Sequence, residues 1–355
     1  MQITELTTEQ QAAVDGAINA VKNGGKLFRI GGYAGTGKTT VAKHIAAGLE
    51  KGMFCAFTGK AAYRLQEKGL EGATTIHRQI YDFDARSQRF HLVDNVAGDW
   101  FLIDEGSMLS HKLLADLNSF DKPLVVLGDP GQLEPIGDDP KLMHKPDIIL
   151  QQIHRQAEGC GIVQFATNIR KNSHEESQIY PDVNVSYGRR PTYADLRWAD
   201  IVICGRNKTR WKVNDMIRSM MGFTHELLYV GEQIIILKNN MDYGVFNGQI
   251  VTVREIADSN DPNITNTVCE ADSGEELRLP LFNQQFGEKP MGQLAPPYNS
   301  AVLADYGYCI TCHKSQGSEW DNVLVIDEQA PQLWNARRWR YTAITRAAKS
   351  LRYYF

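Results

Sequence analysis

The residues Gly32-Tyr33-Ala34-Gly35-Thr36-Gly37-Lys38-Thr39 read G-x-x-x-x-G-K-T. They stand between a short apolar run, 27–30, and a stretch with Val41, Ile45 and Leu49 on one helical face. In that setting the spacing makes a phosphate cradle. Glycines let backbone N–H groups close around phosphate oxygens, the helix N-terminus adds partial positive charge, and Lys38 reaches the β and γ phosphates. The Thr39 hydroxyl suits Mg²⁺. A second apolar run, 100–103, ends in Asp104-Glu105. There Asp104 can hold Mg²⁺ while Glu105 polarises an attacking water; the same pair can also be a plain helix N-cap. A third run, 124–127, leads into Gly128-Asp129-Pro130-Gly131-Gln132. This places the neutral amide of Gln132 where a γ-phosphate could be sensed, or makes an ordinary tight turn.

The elements that must carry these residues follow from periodicity. Thr7-x-x-Gln10 is a capping-box pattern, and Val14, Ile18 and Val21 continue at helical spacing until Asn23-Gly24-Gly25 stops the helix. Further apolar runs at 54–57, 201–204 and 323–326 alternate with helical stretches. Short buried strands in that rhythm predict parallel sheets with helices on both faces, one before about residue 150 and one after it. Two segments break the pattern. Residues 78–98 hold Tyr81-Asp82-Phe83 and Phe90-His91-Leu92 about a polar turn, a hairpin insertion. Residues 230–294 hold runs 233–237, 249–256, 266–271 and 276–279, joined by Asn247-Gly248 and Asp272-Ser273-Gly274 turns. They predict a small all-β module inserted in the second sheet.

Composition narrows the class. The 355 residues are 43% hydrophobic and 23% charged, as in ordinary globular chains. No run of 18 apolar residues occurs, and the first ten residues lack the basic start and apolar core of a secretory signal, so a cytoplasmic protein without a membrane partner is expected. Thirty-eight Lys and Arg against 42 Asp and Glu disfavour coating of nucleic acid by bulk charge but not a local basic groove. The six cysteines do not suggest a disulfide framework, and Cys309-x-x-Cys312 has no second ligand pair for zinc.

A longer series of motifs goes further. Leu6-Thr7-Thr8-Glu9-Gln10, the cradle itself, Phe57-Thr58-Gly59-Lys60-Ala61-Ala62, Thr74-Thr75-Ile76-His77, Asp104-Glu105-Gly106-Ser107-Met108 and Gly128–Ile136 occur in the first half. Gln151-Gln152-Ile153-His154-Arg155-Gln156, the segment 240–248, the segment 310–319 and Tyr341-Thr342-Ala343-Ile344-Thr345-Arg346-Ala347 occur in the second. In kind and order they resemble superfamily 1 helicases of the 5′-to-3′ branch, the RecD- and Dda-like DNA helicases, over nearly the whole chain. Gly106 stands where that family more often has Ala, and Glu134 where a Pro is usual.

The resemblance implies an α/β fold of two RecA-like parallel-sheet P-loop lobes in tandem. The first lobe would be 1–77 with 99–150, and the second 151–229 with 295–355. The hairpin 78–98 would be a candidate wedge or a passive surface loop in the first, and 230–294 a small β-barrel in the second. It implies ATP and Mg²⁺, with Gln10 reading adenine, and Gly35, Thr36, Gly37, Lys38, Thr39, Thr40, Gly317 and Glu319 lining the nucleotide. Lys38, Asp104, Glu105, Gln132, Arg155 and Arg346 would be catalytic, and Thr39 and Asp104 the metal ligands. Arg155 and Arg346 would bring charge to the γ-phosphate, whereas Arg337, Arg338, Arg340 and Arg352 read as solvated or salt-bridged. Thr58, Lys60, His77, Thr311, His313 and Lys314 would contact single-stranded DNA, with Tyr63, Phe246 or Trp198 stacking on bases. Expected partners are single-stranded DNA, junctions with duplex, and a single-strand-binding protein or replisome component. No module preceding Gln10 is expected. A translocase that displaces proteins without unwinding, an RNA-directed motor, and a P-loop nucleotide kinase indifferent to DNA remain open alternatives.

Overall fold

The computed structural model describes residues 6–84, 89–134, 140–153, 159–271, 274–287, 301–328 and 335–355. His154, Arg155, Gln156, Pro135, Ile136 and the tip of the 78–98 hairpin lie outside them, and the side chain of Lys60 is likewise not described. The chain divides into two compact units. One takes the chain up to Asp84 with Arg89–Pro181 and Arg337–Thr345; the other takes Asp182–Ala336 and Arg346–Phe355.

The first unit is built on a six-stranded sheet, in which β1 (Leu27–Gly32), β2 (Gly52–Ala56), β3 (Thr74–Thr75), β6 (Trp100–Ile103), β7 (Leu124–Gly128) and β8 (Ile148–Leu150) lie in the order β3-β2-β6-β7-β1-β8. Every pairing is parallel. The alternation of side chains shows why such runs are continuously apolar. Trp100, Leu102, Val125 and Leu127 pack on one face with Val14, Ile45 and Leu65; Phe101, Ile103, Leu124 and Val126 pack on the other with Ile76, Leu113 and Leu117. With both faces covered, neither set of positions can be polar. The helices are α1 (Thr8–Lys22), α2 (Lys38–Gly48), α3 (Gly59–Glu67), α4 (Ile76–Ile80), α5 (His111–Asn118) and α6 (Gly161–Lys171). The hairpin pairs β4 (Tyr81–Asp84) with β5 (Arg89–Leu92), antiparallel as expected.

The second unit has a five-stranded parallel sheet: β9 (Val183–Ser186), β10 (Ile201–Cys204), β16 (Cys309–Thr311), β17 (Trp320–Ile326) and β18 (Ala347–Tyr354), ordered β16-β10-β17-β18-β9. A second sheet is antiparallel: β11 (Gln233–Ile236), β12 (Ile250–Ala257), β13 (Ile264–Ala271), β14 (Glu276–Phe282) and β15 (Ala304–Tyr306), ordered β14-β13-β12-β11-β15. Four of these strands lie where the sequence placed them; the fifth, β15, comes from beyond residue 294. One core joins the two sheets, with Val202, Cys204 and Leu324 packed in the same cluster as Ile234, Val253 and Leu279. The helices of this unit are α7 (Tyr193–Trp198) and α8 (Asn207–Met220); α9 (Ala336–Ile344) belongs, from Arg337 on, to the first unit. Arg218 on α8 donates from Nε to the fully buried Glu232 at 2.6 Å and lies over the Tyr306 ring at 4.0 Å. Asn214 on α8 accepts from Cys309 N and donates to the Tyr306 and Cys309 carbonyls, which fixes the turn between β15 and β16.

The first unit therefore extends past the expected boundary at 150 and includes residues 337–345. Among the described residues no helix is long and apolar enough to cross a membrane. All six cysteines are free thiols, five of them buried.

Candidate nucleotide and DNA site

Local backbone geometry explains the cradle. Strand β1 ends at Gly32, and α2 starts at Lys38 after Gly37, which caps it at φ 80. Gly35 also has positive φ, 77, a region that only glycine occupies without strain. A Cβ on Gly32 would stand 2.8 Å from Thr36 Oγ1 and 2.9 Å from Lys38 Cγ, so this glycine admits the lysine stem. Lys38 Nζ donates to the Gly32 carbonyl at 2.7 Å and the Tyr33 carbonyl at 3.3 Å.

Gln10 does two things at once. Its Oε1 accepts from Thr7 N at 3.0 Å while Thr7 Oγ1 accepts from Gln10 N, completing the capping box. Its Nε2 donates to the Thr36 carbonyl at 2.9 Å. The buried amide thus ties the start of α1 to the cradle.

Asp104 and Glu105 follow β6, the second neighbour of β1 across β7. Asp104 is half-buried and accepts from Glu105 N at 2.9 Å. Burial pushes its carboxyl above the ordinary range, and the charge of Lys38 pulls the other way. Glu105 has φ 56 and ψ 41, left-handed for a non-glycine residue. Glu105 stands at the N-cap position of the 3-10 turn that follows, without a side-chain capping hydrogen bond. Gly106 is required here: a Cβ would meet Val126 Cγ1 at 2.1 Å and the Leu127 carbonyl at 3.1 Å.

After β7 the chain makes the expected turn, with Gln132 N donating to the Asp129 carbonyl at 3.2 Å. The Gln132 side chain is buried, and its Oε1 meets no donor among the described residues. Glu134 accepts from Arg338 Nη1 at 2.6 Å and lies 3.0 Å from His144 Nε2.

The expected DNA contacts in this unit sit at neighbouring strand ends. Ala56 of β2 pairs with Thr75 of β3, so Thr58 and His77 leave adjacent strands at their carboxyl ends. Thr58 caps α3 by accepting from Ala61 N, while His77 stacks on Tyr81 with 5.6 Å between ring centroids. Burial, and then the charge of Lys112, hold the His77 imidazole below its usual range. Tyr63 on α3 is 47% exposed, whereas the ring of Trp198 is covered by Arg352 at 4.2 Å.

In the second unit, Thr311 ends β16 and leads into the turn that carries His313 and Lys314. Lys314 Nζ donates to Asn247 Oδ1 at 2.8 Å. Burial and the neighbouring Arg210 charge bring its ammonium down to about 8. Arg346 is buried and donates from Nη1 to the Ser318 carbonyl at 3.1 Å, which brings it to the Gly317–Glu319 segment that resemblance assigned to the nucleotide. Arg352 pairs with Asp195 at 2.7 Å and Arg338 with Glu134, so two of the four arginines read as structural are salt-bridged.

Sequence reasoning placed Tyr341 within a motif but missed its role. Its hydroxyl accepts from Ala34 N in the cradle at 2.8 Å and donates to Asp129 Oδ2 at 2.7 Å. It also missed Arg170, whose guanidinium lies 3.6 Å over the Tyr33 ring. Neither has a local signal, because each acts on residues remote in the chain.

A phosphate loop after β1, acids after β6, and a polar turn after β7, all at the carboxyl ends of one parallel sheet, make a P-loop arrangement. Residues 5–184 match the AAA domain family, and the chain belongs to it. Residues 306–353 match the UvrD-like helicase C-terminal domain. It is 26% identical over 377 residues to the ATP-dependent RecD2 DNA helicase of Deinococcus radiodurans, covering 96% of this chain and 48% of that protein. It is also 26% identical over 271 residues to the ATP-dependent DNA helicase dda of Enterobacteria phage T4, covering 66% of this chain and 62% of that one. The chain thus spans less than two thirds of either relative. The crystal structure of Pif1 helicase from Bacteroides in complex with ADP-AlF3 and ssDNA shares the fold, with a TM-score of 0.57 and 18% identity over 99% of this chain and 92% of that one.

Proposed function

We propose that the chain is an ATP-dependent DNA helicase that moves 5′-to-3′ on single-stranded DNA and unwinds duplex, in replication, recombination or repair. The observation that carries it is the placement on a single parallel sheet of the phosphate loop after β1 and the Asp104-Glu105 pair after β6, with Thr58 and His77 leaving the neighbouring β2 and β3. One sheet then serves both the nucleotide and the strand, so a change at one loop is felt at the next. Direction of travel is carried over from the relatives.

In this reading Lys38 and the cradle N–H groups hold the phosphates, Glu105 takes the proton from the attacking water, and Gln132 Oε1 accepts a hydrogen bond from that water or orients it. Thr39 and Asp104 offer hydroxyl and carboxylate oxygens, a donor set that fits Mg²⁺ held together with substrate phosphates. No cluster of three or more His, Cys, Asp or Glu able to hold an ion alone occurs among the described residues, which also suits that mode. Bound there, the ion would neutralise charge developing on the phosphates. Arg155 and Arg346 are the proposed arginines for the γ-phosphate. Lys60, Thr311, His313 and Lys314 join Thr58 and His77 as proposed strand contacts. Residues 78–98 are the proposed wedge and 230–294 the proposed barrel, with single-strand/duplex junctions as substrate and a single-strand-binding protein or replisome component as partner.

The test is steady-state ATP hydrolysis alone and with single-stranded DNA, duplex DNA or single-stranded RNA, followed by strand displacement on substrates with 5′ or 3′ tails. Stimulation by single-stranded DNA and displacement from 5′ tails are expected. Hydrolysis indifferent to every nucleic acid would favour a nucleotide kinase, and stimulation without displacement a translocase.

A further inference from the structure

Three residues of α9 face one loop. Arg338, Tyr341 and Thr342 are spaced i, i+3 and i+4, which puts them on a single side of the helix. Arg338 binds Glu134, the Tyr341 hydroxyl binds Asp129, and Thr342 Oγ1 accepts from Leu133 N at 2.8 Å. The loop that carries Gln132 is thereby pinned at both ends. Tyr341 reaches on to the cradle, through Ala34 N.

The direction of each bond is fixed by chemistry. A backbone N–H can only donate, so the hydroxyl must accept from Ala34 and give its own proton to Asp129. Burial, and then Asp129 beside it, hold the phenol well above its usual range, so the proton stays on it. Asp129 passes the connection on, since its Oδ1 accepts from Gly131 N at 2.8 Å. The surroundings leave little slack. Tyr33 packs edge-on to Tyr341 at 6.5 Å, and a Cβ on Gly131 would stand 3.0 Å from the Tyr341 ring and 3.2 Å from Arg170 Cδ.

We propose that Tyr341 is a positioning residue of the ATP site, whose hydroxyl couples the phosphate loop at Ala34 to the Asp129–Glu134 loop so that Gln132 is aligned by whatever the cradle holds. This rests on the ATP-site reading above. Tyr341 touches no reacting atom; it sets the distance between two loops that do.

Tyr341→Phe keeps the ring and removes the coupling. The variant is expected to keep its Tm within a few degrees and its single-stranded DNA affinity, while DNA-stimulated kcat falls on the order of tenfold because the buried Asp129 carboxylate and the Ala34 N–H lose their common partner. Asp129→Ala should cost a similar factor, and the double variant no more than the worse single one, since both cut the same connection. Wild-type kcat in Tyr341→Phe, multiplicative losses in the double variant, or a fall in Tm that reduces DNA binding and hydrolysis together would each overturn the proposal. Lys38→Ala is assayed alongside. If it retains DNA-stimulated hydrolysis, the ATP-site reading has failed, and that outcome is distinct from a normal Tyr341→Phe beside a dead Lys38→Ala.

Discussion

At the scale of single residues, Glu105 combines a chemical and a conformational peculiarity. Its left-handed backbone costs on the order of 1 kcal/mol or more, and such conformations collect where a side chain must point somewhere particular. Glu105→Gln keeps that backbone and loses the base. It should bind ATP and single-stranded DNA normally, while turnover in single-round hydrolysis drops by about 10²-fold or more; unchanged turnover would remove Glu105 from the role. Lys314 makes a second residue-scale prediction. Its ammonium, brought down to about 8 by burial and by Arg210, is charged at pH 7 and largely neutral at pH 9. If it meets a backbone phosphate, single-stranded DNA affinity falls across that interval, and the salt slope of log K shrinks by roughly 0.7. Lys314→Arg stays charged and should flatten the pH dependence in fluorescence anisotropy titrations.

At the scale of elements, the fit of Gly106 against β7 makes a stability prediction. Gly106→Ala drives a methyl into Val126 Cγ1, and overpacking of this kind costs about 1–3 kcal/mol. Val126→Ala removes the obstructing carbon, so thermal melts of the double variant should show less loss than the two singles summed. This position also shows what could be read in advance. The departure from the family's Ala was visible in the chain, but its reason lies on another strand. Runs such as 100–103 and 124–127 declared themselves because strands buried on both faces admit only apolar residues. Strand β18 did not: Lys349, Ser350 and Arg352 break its apolar run, and the segment reads as a basic tail. The cradle was legible because its work is done by neighbours in sequence. The Tyr341 connection was not, because its partners stand 307 and 212 residues away.

At the scale of the whole molecule, each compact unit has its own core, and the two can be perturbed separately. Glu232 is fully buried in the second unit against Arg218, and removing one partner of such a pair costs about 3–5 kcal/mol. Glu232→Ala is therefore expected to lower the unfolding of the second unit, whereas Gly106→Ala lowers that of the first. Calorimetry of each variant beside the wild type distinguishes them by which unfolding transition moves.

The first unit is also discontinuous. Its sheet is complete by Leu150, yet it takes in Arg337–Thr345 from the far end of the chain. On a ribosome this has an order of events. The cradle, Asp104 and Gln132 emerge early and can assemble around their strands, but the hydroxyl that joins Ala34 to Asp129 is made almost 200 residues after the last strand of that sheet. At about 5–20 residues per second, the nascent chain carries an unfastened nucleotide site for ten seconds or more. On the proposed coupling, the final alignment of Gln132 waits for residue 341, so a ribosome-bound intermediate that lacks it should turn nucleotide over more slowly.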